Sequence, residues 1–204
     1  GLHLQRGALL ARVRKLDDAQ AALAHSLGLD PNLFPAYVVK AQLALARGDV
    51  DEAERLGTVA TRIAPGDPQL ISIDAAIALR RGDVDRALKL ATSNMEALGS
   101  DPQLLSILGA AYLAKRHWAF AEQAFRRLLE ARPDQHAVRA VIARLAQLQG
   151  RPAEAADLLG PLLQADAGDA DELRLVAVSY ELQAGRTTQA LLHLRLLLAR
   201  HPGD

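Results

Sequence analysis

The 204-residue chain is predicted to be all-α, a stack of antiparallel helix pairs, because three residue series share one register. Alanine recurs at Ala19, Ala53, Ala87, Ala121 and Ala155, in steps of 34 residues, and again at Ala190 after a step of 35. A second small-residue series, Gly7, Ala41, Ala75, Gly109, Ala143 and Ala177, runs at the same step. Each member is followed one helical turn later by Leu10, Ala44, Ala78, Tyr112, Ala146 or Tyr180. Between the two series, at Arg14, Gly48, Gly82, Arg116, Gly150 and Gly185, turn residues predominate. Pro31, Pro65, Pro133 and Pro202 close the units, with Gly99 and Ala167 standing in at the other two. Each unit therefore reads as helix, short turn, helix, break, and a fixed period of this length marks a stacked repeat protein.

Close packing explains the small residues. Antiparallel helices approach to the short end of the usual interaxial range only where the side chains at their crossing are small. Larger residues around those slots fill the space between repeats: Leu16, Val50, Val84 and Trp118 at the start of second helices, and Leu23, Phe125, Leu159 and Leu194 further along. One helix pair cannot bury both of its faces, so neighbours must stack.

The register places first helices near 2–14, 34–47, 68–81, 102–115, 136–149 and 170–184. Second helices fall near 17–30, 50–63, 84–97, 118–131, 152–164 and 187–201. Pro68, Pro102 and Pro152 sit at or near first helical positions, where a missing amide hydrogen costs nothing. Pro161 falls inside a second helix after Gly160, which predicts a kink or early loosening ahead of the small, polar run 165–170.

The stretch from Leu105 to Pro133, with Leu108, Gly109, Tyr112, Ala121, Phe125 and Pro133, resembles a tetratricopeptide repeat with nearly every signature slot filled. Six copies cover the chain as one expected domain, at 1–33, 34–67, 68–101, 102–135, 136–169 and 170–204. The resemblance implies a right-handed superhelical solenoid of about twelve helices, as in that repeat architecture. The chain departs from the family in its aromatics, only 3% of residues. Leu10, Ala44, Ala78 and Gly57 stand where the family often places a ring, so thinner cores are expected in the second and third repeats.

Composition fits a mostly helical domain, half hydrophobic and a quarter charged. The balance of 24 basic and 24 acidic residues argues against a general nucleic-acid binder, whose affinity needs clustered cations. Pentatricopeptide solenoids that read RNA have a longer repeat and a basic surface, so they fit poorly. Without cysteine there is no disulfide framework and no thiol chemistry, which suits the cytoplasm or the periplasm equally. No apolar run approaches the roughly 20 residues that span a bilayer.

The last helix carries Leu191, Leu192, Leu194, Leu196, Leu197 and Leu198 and is apolar nearly all round. Such a helix is normally buried on several sides, and no polar terminal cap follows it. The expectation is that residues 1–204 belong to a longer protein, or that Leu191, Leu194 and Leu198 form a surface for docking or self-association.

Catalytic signals are weak. His3, His25, His117, His136, His193 and His201 contain no pair at one-turn helical spacing, so no metal site is expected. Asp49, Asp51, Glu52, Asp83 and Asp85 follow turns and precede second helices, where capping and the helix dipole account for them. No phosphate-cradling glycine loop or nucleophile elbow is present, so neither enzymatic activity nor a cofactor is expected. Trp118 occupies a repeat slot that the family fills with a ring, and core packing accounts for it.

Function is therefore sought on the concave groove that the resemblance implies, lined by first helices. Carried onto this chain, its candidate partner-binding residues are Val39, Gln42, Leu45, Ile73, Leu79, Arg80, Ile107, Leu113, Arg144 and Arg174. Family members that grip the acidic tail of heat-shock chaperones use a clamp of lysines, asparagines and an arginine. Leu4, Ala8, Val39, Gln69 and Ile73 fall at the corresponding positions and supply no charge. An amphipathic helix or extended apolar peptide suits the stripe better, with Arg80 and Arg144 pairing its carboxylates. Alternatively, the small inner residues simply let first helices pack tightly. The expected partner is a protein or peptide, with neither nucleic acid nor direct membrane insertion. Two roles follow: a non-enzymatic scaffold in a bacterial multiprotein assembly, or the regulatory or substrate-recruiting region of a larger enzyme such as a transferase. The bacterial origin is read from richness in arginine, alanine and leucine beside one methionine and few lysines.

Overall fold

The computed structural model describes residues 2–12, 15–95, 101–164 and 170–200. Among these the chain forms twelve helices and no strand. They are α1 (Leu2–Arg12), α2 (Leu16–Leu29), α3 (Phe34–Arg47), α4 (Val50–Ile63), α5 (Pro68–Arg80) and α6 (Val84–Ser93). The series continues with α7 (Pro102–Ala114), α8 (Trp118–Ala131), α9 (His136–Leu148), α10 (Pro152–Gln164), α11 (Ala170–Gln183) and α12 (Thr187–Arg200). The helix–turn–helix alternation expected from the register is present among the described residues, with α3, α4 and α8 ending where the pattern places them. Arg14, Gly99, Ala167, Pro202 and residues 165–169 lie outside the described residues.

The largest departure is α6, which ends at Ser93 rather than near residue 97. Thr92 in its last turn and Asn94 at its C-cap have side chains that compete for helix carbonyls. Thr92 Oγ1 donates to the Leu88 carbonyl at 2.7 Å, and Asn94 Nδ2 donates to the Leu90 carbonyl at 2.8 Å. At Pro161 the helix continues, and α10 extends three residues further, to Gln164.

Caps follow the acidic residues at helix starts. Asp49 accepts from the Glu52 amide at 3.0 Å, Asp67 from Gln69 at 2.9 Å, and Asp83 from Arg86 at 3.1 Å. First helices end in one recurring turn, in which the residue after a left-handed position bonds back to a carbonyl five positions earlier. Asp49 N to Ala44 O, Asp83 N to Ala78 O, His117 N to Tyr112 O, Arg151 N to Ala146 O and Arg186 N to Glu181 O measure 2.8–2.9 Å. That closure requires a left-handed residue, supplied by Gly48, Gly82, Gly150 and Gly185. At the fourth hairpin the residue is Arg116, with φ of 59°. A Cβ in this conformation costs about 1–2 kcal/mol. Arg116→Gly is therefore expected to stabilise the fold by about 0.5–1 kcal/mol after the larger chain entropy of unfolded glycine is subtracted, measured by urea titration.

Two compact units divide the chain, residues 1–111 and 112–204. In the first, Ala19, Ala53 and Ala87 are fully buried, as are Ala41 and Ala75 of the second small series. The tightest slot is Gly7, where an added Cβ would stand 2.8 Å from Leu23 Cγ. One cluster joins Val38, Leu45, Leu56, Leu70, Ile73 and Ile77, with Phe34 and Tyr37 packed against its edge. Gly57, in a slot where the family often has a ring, is approached from across the interface by Ile73, whose Cγ2 lies 3.6 Å from where a Cβ would be. In the second unit Ala143, Ala146, Ala155, Leu159, Leu162 and Ala177 form a comparable cluster flanked by Tyr180.

Neighbouring repeats are also tied by arginines at the ends of first helices. Arg47 reaches back to Asp17 at 2.5 Å, and Arg81 reaches Asp51 at 2.9 Å and Glu54 at 2.5 Å. Both arginine–aspartate pairs span 30 residues and recur one repeat apart. Asp51 is thus an ion-pair partner of the next repeat as well as a first-turn acid.

Candidate functional site

The groove residues divide by burial. In the first unit Leu45, Ile73 and Ile107 are buried in core clusters. Each packs against neighbouring helices instead of facing solvent. Val39 and Leu79 are half-buried at cluster edges, and Arg80 is exposed.

Polar groups of the same stripe engage one another. Gln42 Nε2 on α3 donates to Gln103 Oε1 on α7 at 2.8 Å, although 61 residues separate them. The buried Ser72 hydroxyl on α5 donates to Asp101 Oδ2 at 2.8 Å, while Asp101 Oδ1 accepts from the Gln103 amide at 3.1 Å. First helices two repeats apart thus come within reach of a pair of glutamine side chains. Tight packing of small inner residues accounts for that approach, and Gln42 is committed to it.

The second unit presents more surface. Arg144 and Leu113 are exposed, whereas Arg174 is buried and donates to Asp171 Oδ1 at 3.2 Å and the Leu163 carbonyl at 3.3 Å. Arg174 therefore ties α11 to the end of α10. Leu148 is 48% exposed and Leu182 53%, on the last turns of α9 and α11, with Leu175 two turns before Leu182 on the same helix. Gln147 Nε2 donates to Gln183 Oε1 at 3.3 Å, so these two last turns adjoin. Leu148 and Leu182 occupy equivalent positions 34 residues apart, a periodicity by which Leu182 is recognisable in the sequence. On α12, Leu191 and Leu198 are exposed and Leu194 half-buried.

One buried carboxylate invites comparison with catalytic acids. Glu122 on α8 accepts from Arg126 at 2.7 Å, from Gln149 at 2.6 Å and from Arg151, and both arginines also bind Glu154. Burial opposes its ionisation, but hydrogen bonds from Arg151, Arg126 and Gln149 outweigh burial and hold the carboxyl below its usual range. Both oxygens are occupied by internal donors, so Glu122 is a structural anion. His3 and His25 form a ring contact with centroids 4.3 Å apart, which no helical spacing reveals because they lie on different helices. Among the described residues no group of three His, Cys, Asp or Glu side chains could hold a metal. Nor is any helix among them long and apolar enough to cross a membrane.

Paired helices stacked at a constant step define a helical-repeat protein. The tetratricopeptide repeat family model matches residues 4–68, and helix pairs repeat at about the same step beyond them. No curated protein sequence matches it. Among solved structures, the chain is similar to the APC/C hetero-tetramer Cut9–Hcn1 with a TM-score of 0.74 and 22% identity. That match covers 99% of this chain, which spans only 40% of the matched one. PilF of Pseudomonas aeruginosa matches with a TM-score of 0.70 and 15% identity, over 100% of this chain and 92% of its own. The type IV pilus biogenesis factor PilW gives 0.73 and 16%, over 100% and 94%. At these identities the likeness is one of fold.

Proposed function

We propose that the chain is a non-catalytic scaffold that holds a partner polypeptide against the exposed faces of its first helices. The observation that carries this reading is the apolar surface of the second unit, where Leu113, Leu148, Leu175 and Leu182 remain exposed beside Arg144. Leucines repeated on successive first helices suit the apolar face of an amphipathic helix, and an exposed guanidinium suits a carboxylate at its edge. Val39, Leu79 and Arg80 offer a narrower counterpart in the first unit. Burying a few hundred Å² of such surface supplies several kcal/mol at about 25 cal/mol per Å², before ordering costs.

The test is a double replacement, Leu148→Glu with Leu182→Glu, compared with wild type in pull-downs from the source cell. Both side chains are about half exposed, so helicity by circular dichroism is expected to stay unchanged while the captured partner is lost. Undiminished capture would remove this surface from the binding role.

A further inference from the structure

The turn between α7 and α8 brings together four residues, of which Phe120 is unlike every counterpart, while Arg116 shares its slot with Arg14, His117 with the equally acid-free Lys15 and Arg151, and Ala119 with Ala153. Where other repeats carry Gly48, Gly82 and Gly150, it has Arg116, the one non-glycine residue with positive φ among those described. Where Asp49 and Asp83 cap α4 and α6, His117 stands with no side-chain cap bond. At the slot of Asp17, Asp51 and Asp85 stands Ala119, as Ala153 does one repeat later. Asp18, Glu52, Arg86 and Glu154, all charged, are replaced by Phe120, which is 57% exposed.

A strained backbone, a missing cap, a lost first-turn acid and a ring in water each work against stability. Their coincidence distinguishes this turn from those at Gly48 and Gly82, which an aspartate cap follows. The rings are also organised. Phe120 stacks on Tyr112 at 5.3 Å between centroids, and His117 meets the Phe120 edge at 6.3 Å. Arg116 is exposed beside them; its amide donates to the Leu113 carbonyl at 3.0 Å, and its guanidinium makes no hydrogen bond or ion pair with any described residue.

We propose that this turn is a second binding surface, which takes an acidic protein segment carrying an apolar or aromatic side chain next to its carboxylates. Charge complementarity selects that occupant. From Tyr112 to Ala121 the chain contains Lys115, Arg116 and His117 and no acid. The free guanidinium offers a fork for a carboxylate, while the Phe120–Tyr112 stack offers an apolar face of the kind that anchors interfaces. The inference rests on the reading of the chain as a protein-binding scaffold and adds a site and a partner chemistry to it.

A fluorescein-labelled, N-acetylated octapeptide of glutamates interrupted by leucine and phenylalanine serves as the probe, read by fluorescence anisotropy. Wild type is expected to bind it saturably, and to ignore the same peptide with lysine in place of glutamate. Arg116→Gly and Phe120→Glu should each weaken binding by about tenfold or more, as loss of a charge-assisted fork or of an aromatic anchor does. Arg116→Gly should do so while melting at a higher temperature than wild type, which separates lost binding from lost folding. The Leu148→Glu, Leu182→Glu protein should bind the probe normally. No binding by wild type, equal binding of the lysine peptide, or unchanged binding by Arg116→Gly and Phe120→Glu would overturn the assignment. Loss of binding only in the Leu148→Glu, Leu182→Glu protein would overturn it too, while leaving the scaffold reading intact.

Discussion

Replacing Glu122 by alanine is expected to cost the second unit about 2–3 kcal/mol, the scale of losing hydrogen bonds to a charged group. Breaking a buried ion pair outright commonly costs about 3–5 kcal/mol because a charge is left stranded. Here the stranding is milder. Arg126 and Arg151 are 40% and 38% exposed and both retain Glu154, so each remains partly solvated and paired. Urea or thermal unfolding followed by circular dichroism measures the loss.

The pH dependence of the same site has a definite sign. Burial raises the Glu122 carboxyl, but hydrogen bonds from Arg151, Arg126 and Gln149 exceed that effect and lower it overall. Its folded value thus lies below its unfolded one, so the stabilisation is complete above the ordinary carboxyl range. It disappears as pH falls through the folded value. Wild type should lose melting temperature more steeply than Glu122→Gln in acid, and the two should converge at the lowest pH. Parallel curves from neutral pH downward would contradict the account.

Ala53→Leu should cost roughly 1–3 kcal/mol by overpacking the crossing it occupies in the first unit. Ala53 has no exposed surface and sits in the cluster with Leu45, Leu56 and Ile73, so three added carbon atoms have no solvent to enter. The crossing must open or neighbouring side chains must leave their rotamers. Unfolding by urea reads the change, and Ala53→Ser, nearly isosteric, provides the control for size. A leucine tolerated without loss would mean that the alanine series does not set the interhelix distance.

The alanine and glycine series made the helices legible because packing requirements repeat with the hairpin. Each crossing needs a small residue at the same place and each first helix needs the same left-handed turn, so an error in one unit is corrected by the others. The shortened α6 escaped that reasoning because Asn94 acts locally, its side-chain amide donating to the Leu90 carbonyl, whereas Thr92 repeats the bond that Thr58 makes in the full-length α4. The groove was only partly legible. Helical periodicity identifies a stripe, but it does not distinguish a stripe facing solvent from one covered by the next repeat, and Leu45, Ile73 and Ile107 are covered. Ile73 fills space opposite Gly57, a complementarity between residues in different repeats. Leu148 and Leu182 repeat at the expected step, yet their exposure depends on what packs beside their last turns.

Sequence alone determined the period, the all-helical class, the turn positions and the residues at close crossings, since these follow from local geometry repeated along the chain. Tertiary structure decided which inner residues became core, that Gln42 would meet Gln103 and His3 would meet His25, and that Glu122 would be buried among arginines. Those outcomes depend on distances between side chains far apart in sequence, which are set by how closely successive helices approach and which no single helix encodes.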